Sequence, residues 1–150
     1  MSYFDIRIKM KNGFSKILVC CDGSKYSENA IRKACDLAKK YRSELALIHV
    51  IDRTRKSDVF AGNEYTQILR KYAKSTLEKA KRIANEEGFE PKIVTKEGNV
   101  ANEIIKFSKE VKTDLLVVGS KGLGAVLQFF LGSVSSKIAN HALCSVLIVK

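Results

Sequence analysis

Short runs of consecutive apolar residues alternate along this chain with longer stretches in which apolar positions recur every three or four residues. Ile17-Leu-Val-Cys-Cys21, Leu45-Ala-Leu-Ile-His-Val-Ile51, Leu115-Leu-Val-Val118 and Val146-Leu-Ile-Val149 are the continuous runs, and a shorter one, Lys92-Ile-Val-Thr95, follows Pro91. Apolar runs without alternation predict strands covered on both faces. Between them, Ala30, Ala34, Leu37, Ala38 and Tyr41 predict one helix. Tyr65, Ile68, Leu69, Tyr72, Leu77, Ala80, Ile83 and Ala84 predict the buried side of a longer helix that begins near Glu64 and stops at Gly88. Gly98-Asn99 opens a third, with Ile104, Ile105, Phe107, Ser108 and Val111 inward, and a fourth carries Val134, Ile138, Ala139 and Ala142. The polar stretch from Asp52 to Asn63 reads as a loop. Strand and helix alternate throughout, which predicts an α/β fold with a parallel sheet, because parallel neighbours need crossover connections. No internal repeat or linker divides the 150 residues, so one domain is expected over 1–150, with a basic N-terminal extension over residues 1–14.

The fourth run feeds directly into Gly119-Ser-Lys-Gly122, and nine residues later comes Gly132-Ser133-Val-Ser135-Ser136. Two glycines three apart after a strand permit positive φ and close backbone approach, the requirements of a phosphate-cradling nest. Gly132 then precedes a helix start, whose first amides lack intrahelical partners and carry the positive end of the dipole. Read alone, the same glycines are turns and caps. Ligands of a doubly wound sheet bind beyond the carboxyl ends of the strands, where the strand order reverses. The first and fourth strands carry the site-like loops, and if they are neighbours the five-stranded sheet has the order 3-2-1-4-5. Asp22, ending the first strand, then faces the Gly119 loop and suits the ribose of a nucleotide lying across the crevice. Asp22 is equally suited to an Asx turn before Gly23. Neither G-x-x-x-x-G-K-[ST] nor a G-x-G-x-x-G after the first strand occurs.

Charge and cysteines add two constraints. The formal net charge is +11, and the stretch from Lys39 to Arg82 holds twelve basic and five acidic residues. Arg70, Lys71, Lys74, Lys79, Lys81 and Arg82 follow a helical pattern, favouring a solvated helix face over a tracker of nucleic-acid phosphates, which stays open as a partner. Cys20, Cys21, Cys35 and Cys144 form no C-x-x-C pair, and the vicinal pair points to opposite faces of a strand, so reduced thiols without a metal are expected. No run approaches the roughly 18 apolar residues of a membrane span. The N-terminus lacks a signal-peptide core, and the cytoplasm is the expected location.

Gly119-x2-Gly122-x9-Gly132-Ser133, Ile17-Leu-Val-Cys-Cys-Asp-Gly-Ser24 followed by Ser27 and Ala30, and the closing Cys144-Ser-Val-Leu-Ile-Val149 resemble the universal stress proteins of the ATP-binding type. The resemblance covers nearly the whole chain after about residue 14. It implies a five-stranded Rossmann-like sheet, a homodimer, and ATP (or AMP or ADP) in the crevice with Mg²⁺ or Mn²⁺ bridging the phosphates. By the same resemblance, Asp22 holds the ribose or adenine end and the backbone at Val50 faces the adenine. Gly119, Gly122, Gly132, Ser133 and Ser135, with Val134 between the serines, hold ribose and phosphates; Lys121 either adds a phosphate contact or points to solvent. Family members often have Pro or a small residue where Cys20 and Cys21 stand, and Pro where Ser145 stands. His49 and His141 are the only histidines, and neither stands as a committed general base, so an ATP-binding regulatory module with at most slow hydrolysis is expected. An enzyme of the adenine-nucleotide α-hydrolase type, which shares this architecture, is the catalytic alternative. Val146 to Val149 forms an apolar sheet edge that invites pairing with a second copy, and Phe129 and Phe130 either join that interface or cover the core.

Overall fold

A computed structural model describes residues 13–54, 62–124 and 130–150. The elements run β1 (Lys16–Cys20), α1 (Lys25–Tyr41), β2 (Glu44–Asp52), α2 (Asn63–Glu86), β3 (Lys92–Gly98), α3 (Val100–Glu110), β4 (Leu115–Gly119), α4 (Ser133–His141) and β5 (Ser145–Val149). All pairings are parallel, and the order is β3-β2-β1-β4-β5, as the loop positions predict.

The two faces of the sheet follow from the side-chain period of two. Ile17, Val19, Cys21, Leu45, Leu47, Leu115 and Val117 pack with Ala30, Ile31, Ala34, Cys35 and Ala38 of α1 and with Leu77, Ala80, Ile83 and Ala84 of α2. Leu18, Cys20, Ile48, Val50, Leu116 and Val118 pack on the opposite face with Ala101 and Ile104 of α3 and Ile138 of α4. The vicinal cysteines therefore enter different cores, and all four thiols are free. Burial, with Asp22 nearby, pushes the Cys20 thiol up to about 12, and burial likewise carries Cys35 to about 11, so both are inert neutral groups at neutral pH.

Local signals start two of the helices differently from the other two. Ser24 caps α1 by accepting from Ser27 N–H at 3.1 Å, and Asn99 caps α3 by accepting from Asn102 N–H at 3.0 Å. Such a cap contributes about 1 kcal/mol and occupies an orphan amide. Gly62 before α2 and Gly132 before α4 have no side chain to do this. Only at α4 do the uncapped amides open onto a cleft that the glycine loop shares.

Three elements depart from the sequence expectation. The predicted buried side of α2 begins at Tyr65, yet Ile68 is 62% exposed, Tyr72 is 43% exposed, and full burial starts at Ala73. A helix of 24 residues is about 36 Å long, whereas a five-residue strand spans about 17 Å. The first turns of α2 therefore overhang the carboxyl ends of the strands and wall the space above them. β3 continues to Gly98, beyond the predicted Thr95. Lys96-Glu97-Gly98 keeps its ladder with β2 while its outer edge is open, so polar residues suffice there. Ala139, expected inward on α4, is exposed.

Candidate functional site

One cleft of about 420 Å³ lies above the carboxyl ends of β1, β2 and β4 and is lined by Asp22, Val50, Gly119, Lys121, Gly122, Gly132, Ser133, Val134 and Ser135. These sequence-selected residues come from four separate stretches of chain, and the β1/β4 switch point brings them together.

Asp22 stands at the centre and is held on several sides. Its Oδ1 accepts from Ser24 N–H at 2.8 Å, which is the Asx turn, and its backbone carbonyl accepts from Tyr72 Oη at 2.8 Å. Its Oδ2 lies 3.2 Å from where a Cβ on Gly122 would stand. The Asx turn is thus made by Oδ1, while Oδ2 faces the glycine loop.

The glycine loop folds back on itself. Ser120 N–H donates to Val149 O at 2.7 Å, and Ser120 O accepts from Gly132 N–H at 2.7 Å. The Ser135 hydroxyl lies 3.0 Å from both Ser120 O and Gly132 O. This hydroxyl is committed to closing the loop, so what Ser135 offers to the cleft is its amide. Ser136 N–H makes the first bond of α4, to Gly132 O at 2.9 Å, leaving the amides of Ser133, Val134 and Ser135 without a helical acceptor. Gly119 and Gly122 do not use the positive φ open to them, and Gly132 has φ −62°; among the described residues Gly13, Gly23, Gly88 and Gly98 are the glycines that adopt it. What these three positions require is closeness. A Cβ on Gly119 would stand 2.8 Å from both the carbonyl carbon and Cβ of Tyr26, and one on Gly132 would stand 3.3 Å from Lys121 Cα.

The β2 wall carries a second unsatisfied edge. Ile48 O, on the side facing β1, accepts from Cys21 N–H at 2.8 Å, and two residues on Val50 faces the same way because strand residues alternate. β1 has by then turned aside, since its pairing ends at Cys20 with Ile48. Val50 is 6% exposed, and among the described residues its N–H and C=O on that side have no backbone partner. A buried pair of this kind invites a ligand.

His49 is buried beside it, its Nδ1 2.7 Å from Cys21 O; the carbonyl can only accept, so Nδ1 carries the proton. Burial holds this imidazole below the usual histidine range, with the Cys21 bond and Asp22 opposing. Its ring meets Tyr72 edge-on, with centroids 5.9 Å apart. Tyr65, Leu69 and Tyr72, read from sequence as core, are cleft wall. The overhang of α2 is tied down by ions: Arg53 Nη1 donates to Thr66 Oγ1 at 3.2 Å, while Glu97 accepts from Arg53 at 3.2 Å and Arg70 at 3.0 Å. The Arg70 bond chiefly holds the Glu97 carboxyl below its usual range. A helix overhanging short strands is a length mismatch that apolar periodicity alone does not reveal.

The model of the universal stress protein family matches residues 13–150. The chain belongs to that family. A universal stress protein of Methanocaldococcus jannaschii is 31% identical over 156 residues, spanning 100% of this chain and 92% of its own length. One of Bacillus subtilis is 34% identical over 147 residues, with 91% and 99% spanned. The structure of a universal stress protein in complex with cAMP is 26% identical, with 93% of this chain and 99% of that one covered and a TM-score of 0.72. Among the described residues of this universal stress protein no helix is long and apolar enough to cross a membrane.

Four of the six basic residues on the α2 face have carboxylate partners. Arg70, Lys74, Lys79 and Lys81 each pair with a carboxylate, of Glu97, Glu78, Glu28 and Glu90 respectively. Exposed pairs contribute little to stability, but cations so engaged are less available to a phosphate backbone.

Proposed function

We propose that this universal stress protein binds ATP, or AMP and ADP with fewer phosphates, and works in the cytoplasm as a nucleotide-dependent regulatory module. The observation that carries this reading is the pairing, in one cleft, of the unpartnered Val50 backbone edge with the uncapped amides at the start of α4. A donor N–H beside an acceptor C=O complements the Watson–Crick edge of adenine, which offers N1 as acceptor and the 6-amino group as donor. Guanine presents the reverse, N1–H and O6, and would set donor against donor. Phosphates suit the other end, where Ser133, Val134 and Ser135 direct amides into the cleft and Lys121 adds a cation. The carboxylate of Asp22 is the acceptor for ribose hydroxyls between them. The cAMP-bound family member supports an adenine ligand for this fold.

No group of three His, Cys, Asp or Glu side chains gathers among the described residues. A Mg²⁺ or Mn²⁺ ion would therefore take its ligands from the phosphate oxygens, where it would neutralise charge. Asp22 Oδ1 is taken up in its turn and its Oδ2 is assigned to the ribose, while His49 lies within β2 at the adenine end of the cleft and not at the phosphate end, so the reading is of holding with at most slow hydrolysis. β5, half-exposed along the sheet edge, is where a second copy would pair to form a homodimer. Phe130 is 68% exposed nearby in sequence, and Phe129 lies outside the described residues.

Calorimetric titration of nucleotide-free protein with ATP and GTP, followed by a phosphate-release assay, tests the proposal. ATP is expected to bind at least about tenfold more tightly than GTP, since one buried mismatched pair costs about 1–3 kcal/mol. Equal affinities, or turnover at the roughly 1–100 per second of kinases, would overturn it.

A further inference from the structure

A regular parallel ladder between β1 and β2 has one more rung available. Cys21 N–H donates to Ile48 O at 2.8 Å, and its companion bond would run from Val50 N–H to Cys21 O. That companion is not made, and the pairing stops at Cys20 with Ile48. Cys21 O accepts instead from the His49 ring, at 2.7 Å. The next carbonyl, of Asp22, accepts from Tyr72 Oη at 2.8 Å. Both carbonyls that follow β1 are thus taken by side chains, one from β2 and one from α2, rather than by the backbone of β2.

We infer that His49 is a positioning residue: its ring occupies the Cys21 carbonyl that would otherwise close onto Val50 N–H, and so keeps the Val50 edge open for a purine base. The role rests on the adenine reading above for its functional meaning, though its structural part stands apart from it. His49 acts through Val50 and does so from the other face of the sheet, since neighbouring strand residues point to opposite faces. Its orientation is fixed by the edge-on contact with Tyr72, whose hydroxyl is itself anchored at Asp22. The arrangement also explains why a polar ring is buried in an otherwise apolar run: the acceptor left by the missing rung must be satisfied.

Two variants separate positioning from bulk. His49→Phe keeps a ring and removes the donor, whereas His49→Asn removes the ring and keeps an N–H at the Nδ position; His49→Leu replaces the Phe variant if the larger apolar ring does not pack. Amide exchange at Val50 in nucleotide-free protein is the first readout, with Leu47 exchange as the check that β2 is folded. Loss of the donor is expected to raise Val50 protection about tenfold as its amide closes on Cys21 O, and His49→Asn to leave it near the parent value. Titration with ATP and with inorganic tripolyphosphate is the second: His49→Phe weakens ATP by about tenfold, leaves tripolyphosphate unchanged, and His49→Asn restores ATP. Unchanged Val50 exchange in the donor-less variant, or equal ATP loss in both variants, would overturn the role. Failure of the parent protein to bind ATP would instead defeat the adenine reading, while the exchange measurement would still decide what His49 does.

Discussion

Gly119→Ala lowers the thermal unfolding midpoint by roughly 6–12 °C. The reason lies in what the methyl meets. It would stand 2.8 Å from the Tyr26 carbonyl carbon, 2.8 Å from Tyr26 Cβ and 3.0 Å from Ser27 N, which belong to the first turn of α1. Flexible side-chain ends can move aside, but helix backbone moves only with the helix. Overpacking of this kind costs about 1–3 kcal/mol, and contact with two backbone atoms and a Cβ that moves with them puts Gly119 at the upper end. Differential scanning calorimetry measures it. A change under about 2 °C would show that α1 does not press on β4 as the structure has it.

Gly132→Val has its effect on binding rather than on stability. A Cβ there stands 3.3 Å from Lys121 Cα, 3.5 Å from Gly122 N and 3.5 Å from Ser120 O, contacts that are tight yet outside the overlap seen at Gly119. A branched side chain would fill the gap between the glycine loop and the start of α4, covering the amides of Ser133, Val134 and Ser135. Losing charge-assisted bonds to phosphate costs about 1.5–3 kcal/mol each, so ATP affinity is expected to fall roughly a hundredfold. Adenosine, which has no phosphate, would be affected far less. An ATP affinity equal to the parent's would remove the glycine loop from the site.

The sheet order was legible because it followed from two facts about particular loops. Gly119-Ser-Lys-Gly122 and Asp22-Gly23 both follow buried strands, and a cleft that uses both needs those strands side by side. The cleft residues on the glycine side were legible for the same reason, since the order of the chain carries the strand, the loop and the helix start together. The conformational freedom open to Gly119 and Gly122 is not used, since neither adopts positive φ, whereas the close approach is present, to Tyr26 and to Asp22.

Val50 entered only through the family resemblance, and no local pattern could have revealed it. Its free edge exists because β1 stops pairing after Cys20, a consequence of register between segments almost thirty residues apart. His49 stands within an apolar strand run and is buried; what sequence could not supply was its partner, the Cys21 carbonyl. The overhang of α2 was hidden by amphipathic spacing that continues through Tyr65, Leu69 and Tyr72, whose apolar surfaces face a cleft rather than a core.

On the function proposed above, one adenine nucleotide spans the cleft from the Val50 backbone to the first turn of α4. The most direct measurement is an amide NMR titration of nucleotide-free protein with ATP. Saturable shifts are expected at Val50 at one end and at Gly132, Ser133, Val134 and Ser135 at the other, all following a single binding curve. Shifts confined to one end, or none at millimolar ATP, would contradict it.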